Sequence, residues 1–250
     1  MTASGIATTA GTPRLAVVQH EDGCPPGRFE GWLGEAGATV SVLRPDRGEA
    51  LPAPGSIDGL VVLGGSMSAT DDDRCPWLPA VRSLLGEAVG ARLPTLGVCL
   101  GHQLLAVAAG GAVAPNPAGR QLGVRPVGLR PPAQDDLLLG PLAGDGERLS
   151  VHWNRDVVVE APPGAVVLAV SPDGALQAFR VGERAWGVQF HPEVDGSIVR
   201  SWAERDGTPP GHHAATLDGV RRRAGDLEAT GRALATTFAG IVAGTVSPRP

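Results

Sequence analysis

A cysteine lies where a buried strand is predicted to turn directly into a helix. Gly97, Cys99 and Gly101 form a Gly-x-Cys-x-Gly pattern at the end of the apolar run 93–98, and a helix-like stretch follows. This pattern is typical of a nucleophile elbow, a sharp strand-to-helix turn that presents one reactive side chain. The glycines remove Cβ atoms where the chain crowds itself. The sulfur of Cys99 would lie at the helix N-terminus, where the helix dipole favours a thiolate.

A histidine and a glutamate two positions apart are the second chemical feature. They belong to the stretch 185–194, which is predicted to be a short strand ending in His191-Pro192-Glu193. Residues i and i+2 of a strand project to the same face, about 6.6 Å apart. Glu193 can therefore reach one ring nitrogen of His191 while the other nitrogen faces a thiol, and Pro192 stiffens the pair. Nucleophile, base and orienting acid are the parts of a covalent hydrolytic site.

Each of these residues also has a purely structural interpretation. A free cysteine after a buried strand is often a small core side chain. His191 could be a satisfied core histidine, and Glu193 a solvated loop charge. Neither explanation accounts for a histidine and a carboxylate two apart at a strand end in a chain that also carries the elbow, so we favour the catalytic interpretation.

Together these motifs resemble the class I, or triad, glutamine amidotransferases. The matching residues are Gly97-Val98-Cys99-Leu100-Gly101-His102-Gln103 and Gly187-Val188-Gln189-Phe190-His191-Pro192-Glu193. The stretch Leu63-Gly64-Gly65-Ser66-Met67-Ser68 is similar to the family's glycine-rich oxyanion strand. The resemblance runs from about residue 14 to about residue 203 and is closest to stand-alone domains similar to the glutaminase half of GMP synthetase. It implies a flavodoxin-like α/β fold.

The resemblance implies release of ammonia from the side-chain amide of glutamine. Cys99, His191 and Glu193 would act as the catalytic triad and pass through a glutamyl thioester. No cofactor and no metal ion are expected. The chain has neither a Ser-Gly-Gly-x-Asp-Ser pyrophosphatase loop nor a Gly-x-x-x-x-Gly-Lys-[Ser/Thr] loop. If the chain is an amidotransferase subunit, a separate synthetase would therefore have to use the ammonia.

The resemblance also implies which residues contact the substrate. The backbone N–H groups of Leu100 and Gly65 would stabilise the oxyanion. Gln103, one helical turn after the cysteine, would contact the α-amino or α-carboxylate end of the substrate, and the backbone at Met67 and Trp153 would line the same pocket. Gln103 could equally be an exposed helix residue.

One stretch departs from the family pattern. Relatives tend to have His-Gly where this chain has Asn154-Arg155. An arginine in place of glycine could crowd the pocket or alter its charge, which puts the identity of the substrate in doubt more than the chemistry. His152 is a rival base, but His191 has the acid partner.

Three alternative functions follow from the same residues. A γ-glutamyl peptidase or hydrolase would use the same triad on a γ-glutamyl bond. An α/β-hydrolase also carries a Gly-x-Cys-x-Gly elbow, but in that fold the acid precedes the histidine, whereas Glu193 follows His191. A non-catalytic regulatory homologue is the third alternative, which the complete triad argues against.

The distribution of apolar segments predicts an α/β fold with a central, mostly parallel sheet flanked by helices. Strand and helix candidates alternate over residues 15–19, 28–33, 39–43, 57–63 and 77–91. This alternation indicates βαβ units. Short strand candidates between residues 124 and 181, separated by proline- and glycine-rich loops, predict additional antiparallel strands.

The chain is expected to form one domain over residues 14–243. This domain would end in a helix over 216–243, with a disordered tail over 1–13 and a second tail over 244–250. Ordinary composition, with 42% hydrophobic residues and a net charge of −5, gives no sign of a partner that is nucleic acid or membrane. Three unclustered cysteines and no signal-peptide pattern indicate a cytoplasmic location and no disulfide framework.

Overall fold

The computed structural model describes residues 11–144, 146–207 and 210–246. Residues 1–10 of the expected N-terminal tail and 247–250 of the C-terminal tail lie outside this part. The strands are β1 Arg14–Val18, β2 Thr39–Leu43, β3 Gly59–Val62, β4 Thr95–Val98, β5 Ala112–Pro115, β6 Gln121–Pro126, β7 Leu149–Asn154, β8 Asp156–Glu160, β9 Val166–Val170, β10 Leu176–Val181 and β11 Ala185–Val188. The α-helices are α1 Arg28–Glu35, α2 Leu78–Gly90, α3 Leu100–Ala108, α4 Gly196–Arg205, α5 Pro210–Arg222 and α6 Ala224–Val242.

A seven-stranded sheet forms the centre, in the order β2-β1-β3-β4-β11-β10-β9. The five strands from β2 to β11 are parallel, and β10 and β9 continue the sheet in antiparallel pairing. Two further antiparallel ribbons pair β5 with β8 and β6 with β7. The mostly parallel sheet with additional antiparallel strands is thus confirmed.

Helices cover both faces of the sheet. On one face Phe29 of α1 and Phe238 of α6 pack against strand residues such as Val61. On the other face, α2 and α3 pack against the alternate strand residues, which include Leu60 and Val62. Burial on both faces explains why β3 and β4 are almost continuously apolar. Among the described residues, no helix combines the length and the apolar character needed to cross a membrane.

The order of the strands brings three chain segments to one place. Strand β4 lies between β3 and β11, and all three run in the same direction. Their carboxyl ends therefore meet at the same edge of the sheet, where ligands bind in α/β folds of this kind. The glycine-rich stretch after β3, Cys99 after β4 and His191 after β11 all lie at this edge.

The predicted single helix over 216–243 is wrong. Two helices, α5 and α6, separate at Arg223, whose φ of −107° and ψ of 17° leave the helical range. Helix α5 packs against α4 and β6, whereas α6 packs against α1 and β7. One straight helix could not cover both sets of partners. The chain therefore forms two helices, although the helical periodicity of the sequence is continuous.

Helix α6 supports the segment that carries the histidine. A Cβ atom on Gly231 would lie 2.1 Å from the carbonyl oxygen of Pro192 and 2.7 Å from the Trp32 ring. The helix can pack this closely only because Gly231 has no side chain. It therefore fixes the backbone between His191 and Glu193.

We predict that Gly231→Ala destabilises the protein by about 1–3 kcal/mol, because the added methyl group overpacks this contact. Gly219→Ala in α5 is the matched control, since its Cβ would meet only Val124 at an ordinary 3.9 Å. This control should be neutral or stabilise by up to about 1 kcal/mol, because alanine is the better helix former. Urea unfolding measures both, and equal effects of the two substitutions would contradict the packing proposed here.

Candidate active site

Cys99 occupies a strained turn between the central strand β4 and helix α3. Its φ of 52° and ψ of −103° lie in a region that residues other than glycine rarely adopt. The Cys99 N–H donates to the carbonyl of Val188 at 2.8 Å, and the Gly101 N–H donates to that of Leu63 at 3.1 Å. The turn is therefore held to the ends of both neighbouring strands, which maintains the strained conformation.

The two glycines of the elbow are required by close packing of backbone on backbone. A Cβ atom on Gly97 would lie 2.4 Å from the carbonyl oxygen of Gly101, and one on Gly101 would lie 2.0 Å from that of Val62. Any larger residue would push α3 away from the sheet. The Gly-x-Cys-x-Gly pattern thus follows from the geometry of the turn.

His191 and Glu193 form a buried pair. The Nδ1 atom of His191 lies 2.7 Å from Oε1 of Glu193, and each side chain is 3% exposed. Backbone contacts fix both residues: the His191 N–H donates to Val151 at 2.7 Å, and Glu193 accepts from the Arg28 N–H at 2.8 Å. The imidazole is therefore oriented by β7 on one side and by the start of α1 on the other.

The surroundings of His191 stabilise its protonated form. Burial alone would lower the pKa of His191, but the charges of Glu193 and Cys99, together with hydrogen bonds to both side chains, outweigh it and raise the pKa to about 10. The imidazole thus interacts with the thiol group on one side and the carboxylate on the other. At neutral pH the ring is positively charged and can hold a thiolate in an ion pair.

Cys99 and His191 open into a cleft of about 570 Å³ at the carboxyl edge of the sheet. Four of the predicted substrate-contact residues line it: Gly65, Met67, Gln103 and Trp153. The side chain of Leu100 does not, because it is buried in the core between the sheet and α2. Its backbone nevertheless begins α3 directly after the cysteine.

The glycine-rich stretch lies against the side chains of Cys99 and His191. A Cβ atom on Gly64 would be 3.1 Å from Cε1 of His191 and 3.5 Å from Cβ of Cys99. Glu21 holds the stretch in place by accepting hydrogen bonds from the backbone N–H of Ser66 at 2.7 Å and from its hydroxyl at 3.0 Å. The backbone after β3 is thereby fixed beside the sulfur.

Comparison with known proteins identifies the family. The profile described as "Glutamine amidotransferase class-I" matches residues 32–201. The chain belongs to this family. The crystal structure of a glutamine amidotransferase from Methylobacillus flagellatus superposes on this chain with a TM-score of 0.80. The two chains are 27% identical, and the superposition covers 96% of this chain and 97% of the other.

The relatives of this chain differ in the activity that their names state. It is 35% identical over 210 residues to the glutamine amidotransferase-like protein YfeJ of Salmonella typhimurium, covering 76% of this chain and 82% of the relative. A GMP synthase of Porphyromonas gingivalis is 36% identical over 66% of this chain, which spans about a third (33%) of that relative's length. Gamma-glutamyl peptidase 5 of Arabidopsis thaliana is 29% identical, over 57% of this chain and 56% of its own.

Gln103 lines the cleft and is buried, so the alternative that it is an exposed helix residue is wrong. Its Nε2 donates to the backbone carbonyl of Asp156 at 2.9 Å and to Oε1 of Gln189 at 3.1 Å. These bonds use both amide hydrogens, so the side-chain oxygen is the group that remains for a ligand.

The departure from the family pattern lies in the wall of the cleft. Asn154 is buried and donates from Nδ2 to the carbonyl of Asp156 at 3.2 Å, while Arg155 is exposed and lines the cleft. His152 does not line it. Burial, with the charges of Arg125 and His191 adding to it, lowers the pKa of His152 to about 3, so this ring stays neutral and lacks the acid partner of His191.

Several cleft residues were not found from the sequence. Trp202 of α4 packs edge-on against the His191 ring, with centroids 4.6 Å apart, and Glu21 and Cys24 line the cleft from the loop after β1. Glu21 could have been found, because it follows a strand whose carboxyl end belongs to the same edge. No sequence signal indicates Trp202, since its helix packs there only in the folded chain.

We predict that Glu193→Gln lowers the pKa of His191 from its value of about 10, because the carboxylate is one of the groups that raise it. The substitution keeps the size of the side chain and removes the carboxylate that offsets burial. NMR titration of the His191 ring measures this, with the His152 ring as an internal control that stays neutral in both proteins. An unchanged His191 titration would show that the carboxylate does not set the charge of the ring.

Proposed function

We propose that this chain hydrolyses the side-chain amide of glutamine to glutamate and ammonia, with Cys99 as nucleophile, His191 as acid and base, and Glu193 as the orienting acid. The observation that supports this most strongly is the His191 imidazole, which interacts with the Cys99 sulfur on one side and with a buried carboxylate on the other, at the floor of an open cleft.

The first half of the reaction forms a thioester. The Cys99 thiolate attacks the amide carbon, and the C–N bond then breaks as the imidazolium of His191 donates its proton to the departing nitrogen. Ammonia leaves, and the γ-glutamyl group remains bound to sulfur. Glu193 keeps the ring in the orientation needed for both steps and offsets its positive charge.

The tetrahedral intermediate needs hydrogen-bond donors that are already in position. We assign this role to the backbone N–H groups of Leu100 and Gly65. The first is one of the N-terminal amides of α3, which have no partner within the helix. The second belongs to the stretch that Glu21 holds beside Cys99. Loss of one such donor lowers the rate by about 10²–10³-fold.

Water completes the cycle. After ammonia has left, His191 is neutral and takes a proton from a water molecule that attacks the thioester carbon. The C–S bond breaks, the proton returns to the Cys99–His191 pair, and glutamate is released. The side-chain oxygen of Gln103 is suited to accept a hydrogen bond from the α-ammonium group of the substrate.

A second candidate function is hydrolysis of γ-glutamyl peptides. It uses the same thioester, and only the leaving amine differs. The size of the cleft favours it, because about 570 Å³ is within the range of sites for larger ligands. A non-catalytic regulatory role is less well supported, because it gives no reason for a buried histidine–carboxylate pair beside a cysteine.

The destination of the ammonia depends on a partner. A relative from Halobacterium salinarum, named as one subunit of a glutamine-hydrolyzing GMP synthase, is 37% identical over 57% of this chain. By analogy, a separate synthetase subunit would receive ammonia from this chain. The cytoplasm is the proposed location, because its reducing conditions keep a catalytic thiol active.

We predict that the purified protein releases glutamate from glutamine or from a γ-glutamyl amide, and that Cys99→Ala lowers this activity by at least about 10³-fold. A glutamine-mimicking electrophile should modify Cys99 in the wild type, and His191→Asn should slow that modification. Cys75→Ala is the matched control for loss of a buried thiol that does not line the cleft.

Two outcomes would contradict this proposal. One is turnover that does not change in Cys99→Ala, which would favour a regulatory homologue. The other is modification of Cys24 or Cys75 without modification of Cys99. Mass spectrometry of the digested protein distinguishes the three cysteines.

A further inference from the structure

The position of the leaving group in the cleft follows from the histidine. A general acid has to come within hydrogen-bond reach of the nitrogen that it protonates. Side chains that both touch His191 and line the cleft therefore border the part of the cleft in which the leaving amine is protonated. Trp202 meets both conditions, since its ring lies 4.6 Å from the His191 ring at an interplanar angle of 61° and borders the cleft.

A second indole extends this wall. The rings of Trp153 and Trp202 are 5.9 Å apart at 47°, and both line the cleft. Trp202 is fixed by a 2.6 Å hydrogen bond from Nε1 to the carbonyl of Gly23. Trp153 is half-buried, and its own Nε1 makes no hydrogen bond within the described residues. This side of the cleft is thus a preformed aromatic wall.

The cleft also has more room than glutamine needs. Glutamine has ten non-hydrogen atoms. Even at about 30 Å³ each, which is the share of a whole water molecule in the liquid and an upper bound for a bonded atom, they fill at most about 300 Å³. The cleft holds about 570 Å³. Ammonia as the leaving group would use neither this extra space nor the indoles.

We propose that the preferred substrates are γ-glutamyl amides whose amine carries an aromatic ring, and that Trp153 determines this specificity. This rests on the proposed thioester chemistry. The bond that breaks is the γ-glutamyl C–N bond, and the bond that forms is the C–S bond to Cys99. The proton of His191 leaves with the amine that carries the aromatic ring. An aromatic ring packed on two indoles gains from burial and from ring–ring contact.

The test compares four substrates with the full-length protein. They are γ-glutamyl-benzylamide, γ-glutamyl-cyclohexylmethylamide, γ-glutamyl-methylamide and glutamine, each followed by release of glutamate. We expect kcat/KM for the benzylamide to exceed that for the methylamide by about 10-fold or more. It should exceed that for the cyclohexylmethylamide, which has similar size but no aromatic ring, by about 3- to 10-fold.

Variants at position 153 then test whether Trp153 causes the preference for the aromatic substrate. Trp153→Ala should reduce the benzylamide-to-methylamide ratio of kcat/KM to near one, and Trp153→Phe should restore most of it. A purely structural role of Trp153 would lower both rates together and leave the ratio unchanged. Thermal unfolding and the rate of electrophile modification of Cys99 establish that the variants are folded.

The outcomes separate this inference from the proposed function. Equal kcat/KM for benzylamide and methylamide, or for benzylamide and cyclohexylmethylamide, would overturn the aromatic specificity while leaving the thioester chemistry intact. So would an unchanged ratio in Trp153→Ala. Failure of all four substrates, together with an unreactive Cys99, would instead overturn the proposed function itself.

Discussion

The buried contact between the His191 imidazole and the Glu193 carboxylate is the interaction on which the site depends. A histidine this deeply buried would ordinarily be neutral, and the chain contains such a case in His152, whose pKa falls to about 3. The carboxylate 2.7 Å away, together with the sulfur of Cys99, reverses the effect of burial. An imidazolium beside a cysteine is a proton donor and a counter-ion at once, which is what a thioester mechanism needs.

The fold serves this pair by fixing its backbone from several directions. Strand β7 binds the N–H of His191, the first N–H of α1 binds the carbonyl of Glu193, and Gly231 of α6 packs against Pro192. The Cys99 turn is held in the same way by the strands on either side of it. Every contact here joins segments that are distant in the sequence, so the site exists only when the whole sheet and its helices have assembled.

The features that the sequence predicts best are those that depend on local geometry. Gly97 and Gly101 are visible in the sequence because no other residue fits the turn, and His191 and Glu193 because strand geometry places them on one face. Trp202 has no signal in the sequence because only the docking of α4 brings it to the cleft, whereas Glu21 follows a predicted strand whose carboxyl end lies at the same edge. The division of the last helix at Arg223 was missed for a related reason, since it is set by the packing partners of α5 and α6 and not by the apolar pattern.

The proposed mechanism requires that the Cys99 sulfur become covalently attached to a γ-glutamyl group. The most direct measurement is acid quenching of the protein during turnover, followed by mass spectrometry of the peptide that contains Cys99. We expect a mass gain of one γ-glutamyl group on this peptide, which disappears when the thioester is treated with hydroxylamine. Two results together would contradict this mechanism. The substrate would be turned over without any such adduct on Cys99, and Glu193→Gln or His191→Asn would not slow the reaction.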